Sequence, residues 1–115
     1  MAQNEYYTFD QGSVNGQISM NVRVFDIIVK ETVTKMENVR LDTSKGFSLS
    51  GTKAVVSCSI KENDVFIEIH VKIKYGVKVS DLTKKIQENI SNAIKELTGV
   101  TVKHIDIIVD DIDFE

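Results

Sequence analysis

The chain has 115 residues, of which 42% are hydrophobic and 27% are charged, and this composition is typical of one globular domain rather than of a disordered segment. Its 14 basic and 17 acidic residues leave a net charge of -3, which argues against a role dominated by contacts with nucleic-acid phosphates. A single cysteine excludes an intramolecular disulfide, and no stretch approaches the roughly 20 apolar residues of a membrane-spanning helix.

The start of the chain does not resemble a secretory signal. The first residues include Glu5 and Asp10, and they lack the basic segment and the apolar run that such a signal requires. The lone cysteine, Cys58, also suits a reducing compartment. We therefore expect a cytoplasmic protein that lies, at most, at the periphery of a membrane.

Residues 1–15 are polar and lead to glycines, which predicts a flexible lead before a single domain at 16–115. Alternation of Ile18 and Met20 then predicts a short strand at 17–20. This strand is the first element of the predicted domain.

A first helix is predicted at about 21–38. It begins at Asn21, because an asparagine side chain can accept a hydrogen bond from a free N–H of the first turn. The helix contains many β-branched residues, so a strand at 24–29 is the competing interpretation. The residues predicted to form its buried face are Val24, Phe25, Ile28, Val29, Thr32 and Met36.

The segment 42–53 is predicted to be a loop, within which Phe47 and Leu49 alternate as in a short strand. Strands follow at 54–60 and 65–74. The second of these alternates aliphatic residues with mostly polar ones, which is the pattern of a strand buried on one face. The residues between the two strands favour a hairpin loop.

A second helix at about 80–98 has the most regular pattern in the sequence. Gly99 supplies its C-terminal stop, and a final strand is predicted at 102–109. Burial of the helix's apolar stripe against the strands is expected to provide most of its stability. The stripe consists of Val79, Leu82, Ile86, Ile90, Ala93, Ile94 and Leu97.

The order of these elements, βαββαβ, predicts an α+β fold. Its expected architecture is a two-layer sandwich, in which a mixed sheet carries both helices on one face. A right-handed crossover through the second helix places the last strand parallel to the strand at 65–74.

The sequence contains no legible catalytic or metal site, and we expect neither enzymatic activity nor a cofactor. Cys58 is predicted to face inward and His70 outward, so they do not pair as a nucleophile and its base. His104 is distant in sequence, and neither histidine has a second His or Cys at a ligand-like spacing. We therefore interpret these residues as surface histidines and a core cysteine.

Two clusters of charge have simple interpretations. Carboxylates gather toward the end of the chain without the spacing of a calcium-binding loop, so they predict a solvated tail or a charged strand edge. Lysines gather near Tyr75, and this leaves an anionic or nucleic-acid partner as an alternative to pairing with Asp81 or with the acidic last strand. The acidic group is Asp106, Asp110, Asp111, Asp113 and Glu115, and the basic group is Lys72, Lys74, Lys78, Lys84 and Lys85.

Four apolar residues are predicted to lie on outward faces: Val55, Phe66, Ile108 and Phe114. A contiguous exposed apolar patch marks a protein interface. The residues therefore favour a protein that binds other proteins, although they do not identify the binding face.

Six short motifs follow one another along the chain: GQISMN at 16–21, VKIKYG at 71–76, IQENI at 86–90, LTGVTV at 97–102, IDI at 105–107 and IDF at 112–114. In their order and spacing they resemble the alkaline shock protein 23 family of Gram-positive bacteria. The resemblance covers about 16–114, with Asn38 where the family usually has Gly and Asp106 where it often has Asn.

The resemblance implies an abundant cytoplasmic protein linked to cell-envelope stress, with no established catalytic residues. Relatives assemble into oligomers and gather at the membrane through a separate anchor protein, so the expected partners are copies of the chain, its relatives or such an anchor. Some short relatives have been linked to fatty-acid synthesis, which implies a second hypothesis, a regulatory module acting on a metabolic enzyme.

Overall fold

A mixed sheet with two helices packed on one face carries most of the structure. The computed structural model describes residues 5–9, 16, 18–43 and 55–114. Its elements are β1 (Tyr6–Phe9), β2 (Ile18–Asn21), α1 (Arg23–Thr34), β3 (Val39–Leu41), β4 (Val56–Lys61), β5 (Asp64–Lys74), α2 (Val79–Thr98) and β6 (His104–Asp113). The α+β prediction is confirmed, and the second helix lies where the sequence placed it.

The strand β5 organises the larger sheet. One of its edges pairs antiparallel with β4 and then with β3, while its other edge pairs in parallel with β6, as the crossover rule predicted. Between β4 and β5 the turn is tighter than the predicted loop, since Lys61 and Asp64 are paired and only Glu62 and Asn63 lie between them. Both of these turn residues have positive φ, at 52° and 62°, as type I′ hairpin turns require.

The first helix is confirmed, and the competing strand at 24–29 is wrong. Asn21 Oδ1 accepts a hydrogen bond from Arg23 N at 2.9 Å, as expected of a residue at the start of a helix. The helix ends at Thr34, four residues before the predicted end. Packing of its apolar stripe against the sheet outweighs the β preference of its residues. The buried residues of the helix are Phe25, Ile28, Val29 and Val33.

A two-stranded ribbon, β1–β2, places a strand at Tyr6–Phe9, within the range 1–15 that was predicted to be a flexible lead. In this ribbon Tyr7 pairs with Met20, and its ring lies edge-on to Phe25 at 6.3 Å. Asn63 holds the ribbon to the β4–β5 turn, because its side-chain amide both accepts from Thr8 N and donates to Thr8 O, each at 3.0 Å. The predicted short strand around Phe47 and Leu49 lies outside the described residues.

The core lies between the helices and one face of β5. Every second residue of β5 from Val65 to Ile73 is 2% exposed or less, and these residues pack against the stripes of α1 and α2. Gly99 ends α2 in the left-handed conformation, with φ at 80°, and donates its N–H to Lys95 O at 2.8 Å. Each large aliphatic side chain buried here contributes about 1.5–3 kcal/mol before conformational entropy is counted.

Candidate functional site

An apolar groove runs between the outer surfaces of α1 and α2. Met36, which follows α1, and Leu82, near the start of α2, line one common cleft. The end of α1 therefore lies beside the first half of α2, and the two helices are antiparallel. The groove encloses about 550 Å³. Its apolar floor and walls are Ile27, Ile28, Thr32, Met36, Ala93 and Leu97.

Two large aliphatic side chains in the groove are exposed to solvent. Ile27 is 64% exposed and Leu97 is 71% exposed. Leu97 and Val79 were predicted to belong to the buried stripe of α2, and that prediction is wrong for both, since Val79 is 38% exposed and neither is among the buried residues of the helix. These buried residues are Leu82, Ile86, Ile90 and Ile94. Exposed aliphatic side chains beside a groove are typical of surfaces that bind other proteins.

The rim of the groove is polar and carries both signs of charge. On α1, Lys35 Nζ lies 3.7 Å from Glu31 Oε2, and both side chains are mostly exposed. On α2, the rim consists of Asn89, Asn92 and Glu96. An apolar centre with a polar rim is also the general anatomy of protein interfaces.

His70 lies on the sheet face opposite the helices, as predicted, but the prediction that it is a surface histidine is wrong. It is 6% exposed. Its Nδ1 is 3.0 Å from Asp110 Oδ2, and its Nε2 is 3.3 Å from Glu68 Oε2 without the geometry of a hydrogen bond. Asp110 reaches the ring because the register of β5 and β6 shifts after Val71 and makes Asp110 an extra residue in β6.

Cys58 and His70 lie on opposite faces of the sheet, as predicted. Cys58 stands opposite Ile67 on the helix-facing side of the sheet, whereas His70 faces the other way. Burial, with a smaller contribution from the charge of Asp26, raises the pKa of the Cys58 thiol to about 12 against an opposing effect of Lys30. A thiol in this environment stays protonated at neutral pH and is a poor nucleophile.

The acidic residues toward the end of the chain mostly have nearby basic partners. Asp106 Oδ1 lies 2.9 Å from His104 Nε2, and Asp113 Oδ2 accepts from Arg40 Nε at 2.8 Å. Over 5–9, 18–43 and 55–114, no three His, Cys, Asp or Glu side chains come together as a metal site. Glu115 lies outside the described residues.

Two lysines of the basic group, Lys72 and Lys74, lie beside the acidic last strand, as the simpler interpretation predicted. Lys72 neighbours Asp111 in the register of β5 and β6, and Lys74 neighbours Asp113. The positive charge of these lysines is thus offset locally, which disfavours a site for nucleic-acid phosphates.

Of the four apolar residues predicted to face outward, Phe114 is mostly exposed and the other three are not. Val55, Phe66 and Ile108 are partly buried. Phe114 is 74% exposed and stacks on Tyr75, with 4.8 Å between ring centres. The aromatic pair is small beside the helix groove. Sequence reasoning missed the groove because Leu97 was assigned to the buried stripe of α2, while Ile27 was assigned to neither a buried nor an outward face.

Comparison with known proteins agrees with the resemblance seen in the sequence. The model of the alkaline shock protein 23 family, which is described as having a cell envelope-related function, matches residues 10–114. The chain is also similar to Spy1535, an uncharacterised protein of Streptococcus pyogenes, with 26% identity over 102 residues that cover 84% of this chain and 79% of the relative. In the described part of the chain, neither helix has the length and hydrophobicity needed to cross a bilayer.

Proposed function

Since the chain belongs to the alkaline shock protein 23 family, whose function is cell envelope-related, we propose that it is a non-enzymatic interaction protein in envelope homeostasis or envelope stress. Its partners in this proposal are copies of itself, family relatives or a separate membrane-anchor protein. The protein itself is cytoplasmic and reaches the membrane through such a partner.

The observation that carries the proposal is the groove between α1 and α2, with Ile27 and Leu97 mostly exposed at its sides. The buried stripes of both helices are already used in the core, so these two side chains add nothing to the packing of the fold. Exposure of these apolar side chains to water is unfavourable, and a protein partner that covers them buries that surface. The protonated state of Cys58 is consistent with a protein that does no thiol chemistry.

The proposal is tested by affinity capture from the native cell with the wild-type chain and with Leu97→Asp. We expect the wild type to retain specific partner proteins and Leu97→Asp to lose them, because a carboxylate placed in the groove has to be desolvated on binding. Lys84→Glu is the matched control, since Lys84 is an exposed residue of α2 outside the groove. Equal capture by all three proteins contradicts a binding role for the groove.

A further inference from the structure

The outer side of β6 forms an edge of the larger sheet. Among the described strands, β6 pairs with β5 alone, along His104–Asp113. A strand edge without a partner presents a row of N–H and C=O groups that can bind another extended chain. The two faces of β6 decide which chain fits there.

The backbone of Ile105 points toward this outer side. On β5, His70 N donates to Val55 O, on the side of β4, and the alternate residue Ile67 therefore directs its backbone groups to β6. In a parallel pair each residue bonds to the two neighbours of its opposite residue, so Ile105, opposite Ile67, points outward. Gln87 of α2 agrees with this direction, because its Nε2 donates to Ile105 O at 3.0 Å.

The regular part of the edge is as long as a short peptide strand. Ile107 and Val109 follow Ile105 at steps of two, so their N–H and C=O groups point outward as well. After Val109 the register with β5 shifts, and Asp110 is an extra residue. Gln87 therefore bounds the edge at one end, and Asp110 bounds it at the other.

The helix-facing side of the edge is apolar and incompletely covered. Ile105, Ile107 and Val109 pack against the core on this side, but each of them remains partly exposed. A cleft of about 420 Å³ opens between α2 and the start of β6, with Ser91 and Val102 in its lining. Aliphatic side chains of an incoming strand would extend this apolar layer.

The opposite face of the edge is acidic. Asp106 lies near His104 on the same strand, but its side chain is 55% exposed, and its neighbour on β5 is another carboxylate, Glu68. Asp111 is exposed farther along this face. Basic side chains of an incoming strand would be attracted here, whereas a second copy of β6 would bring two acidic strands together.

We propose that the outer edge of β6, from Ile105 to Val109, binds an extended segment of another protein in which aliphatic residues alternate with lysine or arginine. The segment adds a strand to the sheet, with its aliphatic side chains toward α2 and its basic side chains toward Asp106. This edge lies apart from the groove between α1 and α2, so the inference goes beyond the proposed function and does not depend on it.

The probe is a short synthetic peptide of alternating valine and lysine, added to the full chain and followed by nuclear magnetic resonance. We expect the amide signals of Ile105, Ile107 and Val109 to shift and to gain protection from hydrogen exchange, because their N–H groups gain acceptors. The same peptide with methylated backbone nitrogens is expected not to bind. Equal binding of the methylated peptide, changes confined to Ile27 and Leu97 in the groove, or no change at millimolar peptide overturns the inference.

Charge exchange tests the acidic face of the edge. Asp106→Lys is expected to weaken binding of the lysine peptide about tenfold and to strengthen binding of a peptide of alternating valine and glutamate. Glu37→Lys makes the same charge change at an exposed position after α1 and is expected to leave both affinities unchanged. Equal binding of the two peptides by the wild type overturns the assigned chemistry of the partner.

Discussion

Cys58 and His70 have the most reactive side-chain types among the residues singled out in the sequence. In the structure the Cys58 side chain is partly buried and the His70 side chain is buried. The Cys58 thiol is held protonated by burial on the helix-facing side of the sheet. The His70 ring lies between Asp110 and Glu68, so a buried polar group on the opposite face has carboxylate neighbours on both sides. Neither residue lines the groove. The residues with the most reactive side-chain types therefore lie apart from the groove that we propose binds a partner.

The raised pKa of Cys58 predicts slow reaction with thiol reagents. With a folded pKa of about 12 against an unfolded value of 9.0, the thiolate fraction at pH 8 is on the order of 10³-fold smaller in the folded protein. Reaction with a disulfide reagent at pH 8 is expected to be slower by a comparable factor in buffer than in denaturant. Equal reaction rates of Cys58 in buffer and in denaturant contradict the burial of its thiol in the folded protein.

The same shift predicts how stability depends on pH. The folded state holds the thiol proton more tightly than the unfolded state, so this contribution is fully present below about pH 9 and is lost as pH rises toward 12. The free energy of unfolding, measured in urea, is expected to fall over that range. Cys58→Ala lacks the thiol, so its free energy of unfolding is expected to fall less over the same pH range. Identical pH profiles of the two proteins contradict a contribution from the Cys58 thiol.

At the scale of elements, the β4–β5 hairpin and the β1–β2 ribbon are joined by one side chain, Asn63. This residue adopts positive φ in the turn and also makes two hydrogen bonds with the backbone of Thr8. The exposed residue Asn63 therefore both shapes the β4–β5 turn and attaches the ribbon to it. Asparagine suits both tasks, since it tolerates the left-handed conformation and its amide can donate and accept at once.

Substitutions of Asn63 are expected to separate these two tasks. Asn63→Gly keeps the backbone conformation and loses the hydrogen bonds, whereas Asn63→Ala loses both. We expect Asn63→Ala to lower the free energy of unfolding by about 1–2 kcal/mol and Asn63→Gly to lower it by less. Chemical denaturation measures both. A larger loss in Asn63→Gly than in Asn63→Ala contradicts the assigned turn conformation.

Elements with one strong periodicity were predictable from the sequence, and the details that depend on distant neighbours were not. The alternation of β5 identified its buried face correctly, and Gly99 marked the end of α2. The exposure of Leu97 was not predictable, because a helical pattern does not say where the sheet beneath the helix ends. The surroundings of His70 depend on Asp110, the extra residue in β6, and no local sequence pattern predicts that irregularity.

Across the whole molecule, stability is concentrated around β5. This strand has partners on both edges and the helices on one face, whereas β1–β2 is a separate ribbon held at one end of the domain. The groove lies on the far side of the helices from this strand, and Ile28 is both a core residue and part of the groove's lining. The two exposed aliphatic side chains of the groove, Ile27 and Leu97, stand apart from the buried residues that keep the chain folded.

Amide hydrogen exchange is expected to show that β5 is more stable against local opening than the β1–β2 ribbon. Amides in the middle of β5 should exchange only through global unfolding, while those of β1 and β2 should exchange through local opening with a lower free energy. Exchange followed residue by residue by nuclear magnetic resonance measures both groups. Equal protection of the ribbon and of β5 contradicts a ribbon of lower local stability.

The parallel pairing of β6 with β5 has a consequence for how the protein is made. On the ribosome, β5 emerges well before its second edge partner, because α2 and its flanking loops, residues 75–103, have to be synthesised in between. At about 5–20 residues per second, that interval is roughly 1.5 to 6 seconds. During it the nascent chain carries an aliphatic strand with one unpaired edge, which is the kind of surface on which unfinished chains aggregate.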